Sequence, residues 1–326
     1  MKIYLFFLFL LLCTGCNTLT PGQGGSEKMK FEFSYTDSSS DMSLVITEDG
    51  LATLTIGDNR ADPDFDAVGL FRARLSPQHL SDLVSSMQAG DFRNVQSPDS
   101  ALPGEAVRQL RLKMEGGDEI MKWAAFNTPT PPEFAAVEER ALTIVRLMRQ
   151  YPVCTIAVKA TGLPREIERD IPVEFDVVFI NPGSETVKVE DPDKWSGEVA
   201  NLQIVGLRSD IPLEDLADYH QKFEELTKES IVDIQAEKPD GPLIPIPSKG
   251  SLTFRVRTPL DWPPGHYDVQ LSLYVSLFDK DDAELLDCQL LSRPYPVKIV
   301  GDSKPEDDPG DEDEEDEGED VTGPEA

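Results

Sequence analysis

Histidine is scarce in this chain, with only His79, His220 and His266 in 326 residues, all far apart. No His-Glu-x-x-His, Cys-x-x-Cys, Gly-x-Ser-x-Gly or phosphate-binding loop occurs. The local signatures of zinc hydrolases, serine hydrolases and nucleotide-binding enzymes are thus missing. No catalytic residue, metal-ligand set or cofactor is assigned, and the three histidines read as surface or cap residues. Basic residues are also few. Thirty Lys and Arg face 61 Asp and Glu, for a net charge of −31. Such a surface repels phosphate backbones, which excludes nucleic acid as a partner, and it repels anionic lipid headgroups as well. Adaptation to a salty environment is a second reading of the same acidity. Long apolar runs are absent with one exception, Ile3 to Leu12, whose ten residues fall short of the roughly 20 that span a bilayer.

That run follows Lys2 and leads to Thr14-Gly15-Cys16, the layout of a secretory signal with a charged start, a short apolar core and small residues at the cut. Leu12-Cys13-Thr14-Gly15-Cys16 resembles the lipobox of bacterial lipoprotein precursors. Gly15 matches the residue before the cut and Cys16 the acylated cysteine, while Cys13 stands where leucine is usual. The resemblance implies a signal peptide at 1–15 and a lipid anchor on Cys16, holding the protein on the exported side of the cell membrane or outer membrane. Several acyl chains, at about 0.8 kcal/mol per buried CH₂, grip a membrane far better than one. Asn17 stands where some Gram-negative lipoproteins carry the aspartate of inner-membrane retention, so the resemblance favours the outer membrane. Residues 16–28 are rich in Thr, Pro, Gly and Ser and read as a flexible tether.

Residues 29–150 read as an α+β domain. Strand-like runs at Met29–Tyr35, Met42–Thr47, Leu51–Ile56 and Val68–Arg74 include an Asp49-Gly50 hairpin signal. Ser76-Pro77 then caps a helix bearing Leu80, Leu83, Val84 and Met87 and stopping at Gly90. A hairpin turns at Gly116-Gly117, and a last helix after Pro131-Pro132 carries Phe134, Val137, Ala141, Val145 and Met148 on one stripe. This order, with Asp91-Phe92 after the first helix, resembles the small domain of emfourin-type protease inhibitors and related bacterial lipoprotein domains.

Residues 151–301 read as an all-β sandwich. Ile171, Val173, Phe175, Val177 and Phe179 alternate up to an Asn181-Pro182-Gly183 turn, and Tyr267 to Leu277 alternate over a longer span. Pro264-Gly265-His266-Tyr267 resembles the start of a late strand in bacterial immunoglobulin-like domains, in which the tyrosine hydroxyl ties back to backbone. The Asn-Pro-Gly turn and this strand start are also similar to the Bacillus intracellular proteinase inhibitor fold. Near 212–229 the spacing of Leu213, Leu216, Ala217, Tyr219, Phe223 and Leu226 predicts a helical insertion, either covering the sandwich or binding a partner. Residues 302–326 hold 14 acids and one lysine, and too few apolar groups to order themselves; they read as a disordered acidic tail.

Cys154 shares the face of Ile156 and Val158, and Cys288 that of Leu286 and Leu290. In an oxidising compartment they are candidates for a disulfide; the alternative is two separate core thiols. Asp62, Asp64 and Asp66, preceded by Asp58, imitate the start of an EF-hand loop. The imitation fails where Ala67 replaces the required glycine and Ala73 the required glutamate. Asp279, Asp281 and Asp282 read as a solvated turn. The fold class expected is thus an α+β domain followed by an immunoglobulin-like sandwich and a disordered tail. The function expected is that of an anchored, non-catalytic binding or structural module, whose partners are the membrane through Cys16 and another envelope protein. The alternatives are a proteinase inhibitor and an enzyme whose site is scattered through the sequence.

Overall fold

The computed structural model describes residues 30–59, 67–169, 171–190, 202–210, 227–231, 233–234 and 242–301. Strands β1 (Phe31–Asp37), β2 (Met42–Thr47), β3 (Leu51–Ile56) and β4 (Ala67–Arg74) precede helices α1 (Pro77–Gln88) and α2 (Gly90–Arg93). Next come β5 (Val107–Met114), β6 (Glu119–Ala125) and α3 (Pro132–Met148). After α3 the described residues form strands and loops: β7 (Pro152–Thr161), β8 (Glu166–Glu168), β9 (Pro172–Ile180), β10 (Val187–Glu190), β11 (Leu202–Arg208), β12 (Thr227–Ile231), β13 (Asp233–Ile234), β14 (Leu243–Ile246), β15 (Ser251–Pro259), β16 (Gly265–Phe278), β17 (Glu284–Leu291) and β18 (Tyr295–Val300). The fold is predominantly β and built from two largely antiparallel sheets.

Local chemistry explains the ends of these elements. Ser76 caps α1, accepting a hydrogen bond from the His79 amide, with Pro77 at the first helical position. Gly50 closes the β2–β3 hairpin at φ +80, a conformation that an L side chain resists. The helical insertion expected near 212–229 needs one correction. Residues 211–226 lie outside the described residues, but 227–229 belong to β12, because Thr227–Ile231 pairs antiparallel with β11.

The larger sheet has ten strands in the order β13-β15-β9-β7-β4-β3-β2-β1-β5-β6. It crosses from the N-terminal to the C-terminal part of the chain at β4 and β7, where Ala67 pairs with Ala157 and Val68 with Ile156. The buried face changes at this crossing. On the β1 side, Phe33, Tyr35, Leu44, Leu54, Phe71 and Leu110 are buried on the face covered by α1 and α3, whose Leu83, Met87, Phe134, Ala141 and Met148 are also buried. On the β9 side the opposite face is buried: Ile156, Val177, Phe179, Phe254 and Val256 pack against the inward row of β16, Val269 to Leu277. Strand β4 serves both, sending Val68 one way and Phe71 the other, with a register shift between Leu70 and Phe71. Gly69 sits between them at φ +124, with the Cys154 carbonyl oxygen 2.3 Å from where a Cβ would be. Only glycine allows β4 and β7 to approach this closely.

The second sheet has eight strands and runs β12-β11-β16-β10-β14, with β17 and β18 on the other side of the long β16 and β8 beyond β18. Asn181, fully buried, ties the two sheets together. Its Nδ2 donates to the carbonyls of Glu185 (2.8 Å) and Ile246 (3.0 Å), and its Oδ1 accepts from the Gly183 amide (2.8 Å). Asn181→Asp should therefore destabilise the fold by roughly 2–4 kcal/mol, since a carboxylate cannot donate and its buried charge would face carbonyls. Denaturant melts check this, and an unchanged midpoint would remove the role given to Asn181.

Candidate functional site

Among the described residues, a concavity lies at the seam between the two sheets. It begins with the turn joining β1 to β2. Asp41 holds φ +43, which aspartate tolerates better than most residues, and its carbonyl accepts from the Gly57 amide at 3.0 Å. A Cβ on Gly57 would meet Asp41 Oδ2 at 2.4 Å and Asp41 Cβ and Cγ at 3.0 Å, so a side chain there would require Asp41 to shift. Residues 57–59 then run alongside β17. The Gln289 amide donates to the Gly57 carbonyl (2.7 Å), and the Asn59 side chain exchanges two hydrogen bonds with the Leu291 backbone (2.7 and 3.0 Å).

The resulting groove, about 410 Å³, is lined by Asp41, Gly57 and Asp58 on one wall and by Tyr274, Ser276, Asp287 and Gln289 on the other, with Val275, Cys288 and Glu190 completing it. Four of its ten residues carry carboxylates and none carries a cation. Ser276 Oγ donates to Asp287 Oδ1 at 2.5 Å, and the Tyr274 ring is half exposed. Burial pushes the Cys288 thiol far above its ordinary pKa, and the nearby Asp287 and Asp41 push it further. A thiol held protonated is a poor nucleophile. The described lining of the groove thus combines carboxylates with one aromatic face.

Cys154, on β7, and Cys288, on β17, are both free and buried in the structure. Both thiols are shifted upward, chiefly by burial. Native protein should therefore resist maleimide at both positions for far longer than protein in guanidinium chloride, with peptide mass spectrometry locating the label. Rapid native labelling of Cys288 would show that the groove opens to its thiol.

Cys16, Asp62, Asp64, Asp66, His220 and the tail lie outside the described residues. Asp58, grouped with the acidic loop in the sequence reading, is buried at the seam and bridges to Gln289. His79 is exposed on α1, and His266 is the exposed second residue of β16. Asp279, Asp281 and Asp282 form a tight turn in which Asp279 Oδ1 accepts from the amides of Asp281 and Ala283. Among the described residues, no three of His, Cys, Asp and Glu are grouped as metal ligands.

Two further polar clusters are structural. Tyr35 Oη donates to Glu138 Oε1 (3.0 Å), Arg108 Nη1 donates to Glu138 Oε2 (2.8 Å), and Arg108 Nη2 reaches Thr130 Oγ1 (2.7 Å), pinning α3 to β1 and β5. Near the other end of the chain, Tyr267 Oη donates to the Pro263 carbonyl (2.8 Å) and its ring packs on Trp262 at 5.3 Å. Arg208 lies 5.8 Å from that ring and grips Asp210 through two hydrogen bonds, and this contact holds the Asp210 carboxyl below its usual range.

No protein-family model matches the chain, and no curated protein matches it either. Similarities to solved structures are slight. A structural-genomics target is 14% identical over 46% of this chain and 92% of its own, at a TM-score of 0.24. AvmM, which catalyses macrocyclization in alchivemycin A biosynthesis, is 16% identical over 46% of this chain and 91% of its own, at 0.22. The adhesive subunit CfaE of the CFA/I fimbria of enterotoxigenic Escherichia coli is 9% identical over 87% of this chain and 82% of its own, at 0.21. At these scores none of them informs the function of this chain.

Proposed function

We propose that this chain is a lipoprotein of the bacterial envelope, anchored through Cys16, in which an α+β unit and an immunoglobulin-like sandwich together form a non-catalytic binding module. The observation that carries this reading is the run Leu12-Cys13-Thr14-Gly15-Cys16 behind ten apolar residues and ahead of a Gly/Pro/Ser tether. The Tyr267 hydroxyl tied to the Pro263 carbonyl supports the sandwich assignment, as does the alternating row along β16.

The groove's position suits an anchored protein. Lys30 leads into β1, which runs seven residues, roughly 23 Å, before the turn that carries Asp41. The concavity thus lies at the end of β1 opposite the residue that leads into the strand, where a partner could reach it. The test of anchoring is metabolic labelling with palmitate in a bacterial host, followed by membrane fractionation. Wild-type protein should take up label and sediment with membranes; Cys16→Ala should do neither. Label-free wild type, or Cys16→Ala that stays fully membrane-bound, would overturn the reading.

A further inference from the structure

We draw no further inference here: the strongest candidate outside the acidic groove already described, the apolar hollow where Phe71, Pro152, Ala157 and Ile180 meet beside Arg149 at the end of α3, has nothing in the structure to show what covers it.

Discussion

Gly69→Ala should destabilise both halves of the molecule together, by about 3–5 kcal/mol, a loss large enough to threaten folding altogether. The added methyl group would lie 2.3 Å from the Cys154 carbonyl oxygen and 2.8 Å from the Thr155 Cα, both backbone atoms that no rotamer change can move. The position also sits at φ +124, where any L side chain is strained. Relief requires β4 and β7 to separate, and these strands hold Val68 in one core and Phe71 in the other. Trp123 on β6 and Trp262 beside Tyr267 report on the two ends, so tryptophan-resolved spectroscopy during thermal unfolding gives the answer. The melts at both ends should shift down together. A mutant in which one end melts early while the other keeps its wild-type midpoint would show that the sheet does not couple the halves.

Breaking the Glu138 network should cost nearly as much. Glu138 is 5% exposed and bonded to Tyr35 and Arg108, so Glu138→Ala leaves a largely buried guanidinium without its counter-charge. The expected loss is about 3 kcal/mol at neutral pH, against roughly 1 kcal/mol for Tyr35→Phe, which removes a single hydrogen bond. The pH dependence separates charge from packing. Burial raises the Glu138 pKa above its ordinary value, outweighing Arg108 and the Tyr35 hydrogen bond, which lower it, while Asp37 raises it further. A carboxyl whose folded pKa is raised binds its proton more tightly in the native state. Its contribution to stability is fully present below the unfolded value, near 4.3, and is lost as pH rises through the folded value. Glu138→Gln should remove this component, so that stability falls less, or rises more, with pH just above 4.3 than in the wild type. Identical pH profiles for the two proteins would refute the shift.

Much of the fold was legible in local pattern. Alternation placed β2, β3, β5, β9 and β16, and Asp49-Gly50 and Gly116-Gly117 marked turns that need positive φ. Ser76-Pro77 marked the start of α1, and the apolar stripe of the last helix is buried from Phe134 to Met148. The ladder between β4 and β7 was not legible, because the run Val68-Gly69-Leu70-Phe71 gives no sign that its apolar residues serve opposite faces. Its partner, moreover, lies some 85 residues away, past three helices and a hairpin. The groove was hidden for a similar reason. Asp41, Asp58, Glu190 and Asp287 come from four separate stretches that meet only after both sheets form. Cys154 and Cys288 show the limit from another side, since strand parity identified both as inward-facing without saying whether they meet.

The placement of β1 has a mechanical consequence. It is an interior strand, flanked by β2 along six residue pairs and by β5 along seven. Tension applied from the residues preceding β1 would therefore act along the strand, and the ladders on both flanks would have to slide at once rather than open bond by bond. Under the anchoring proposed above, the sheet would in this way be loaded in shear, the direction in which it resists most.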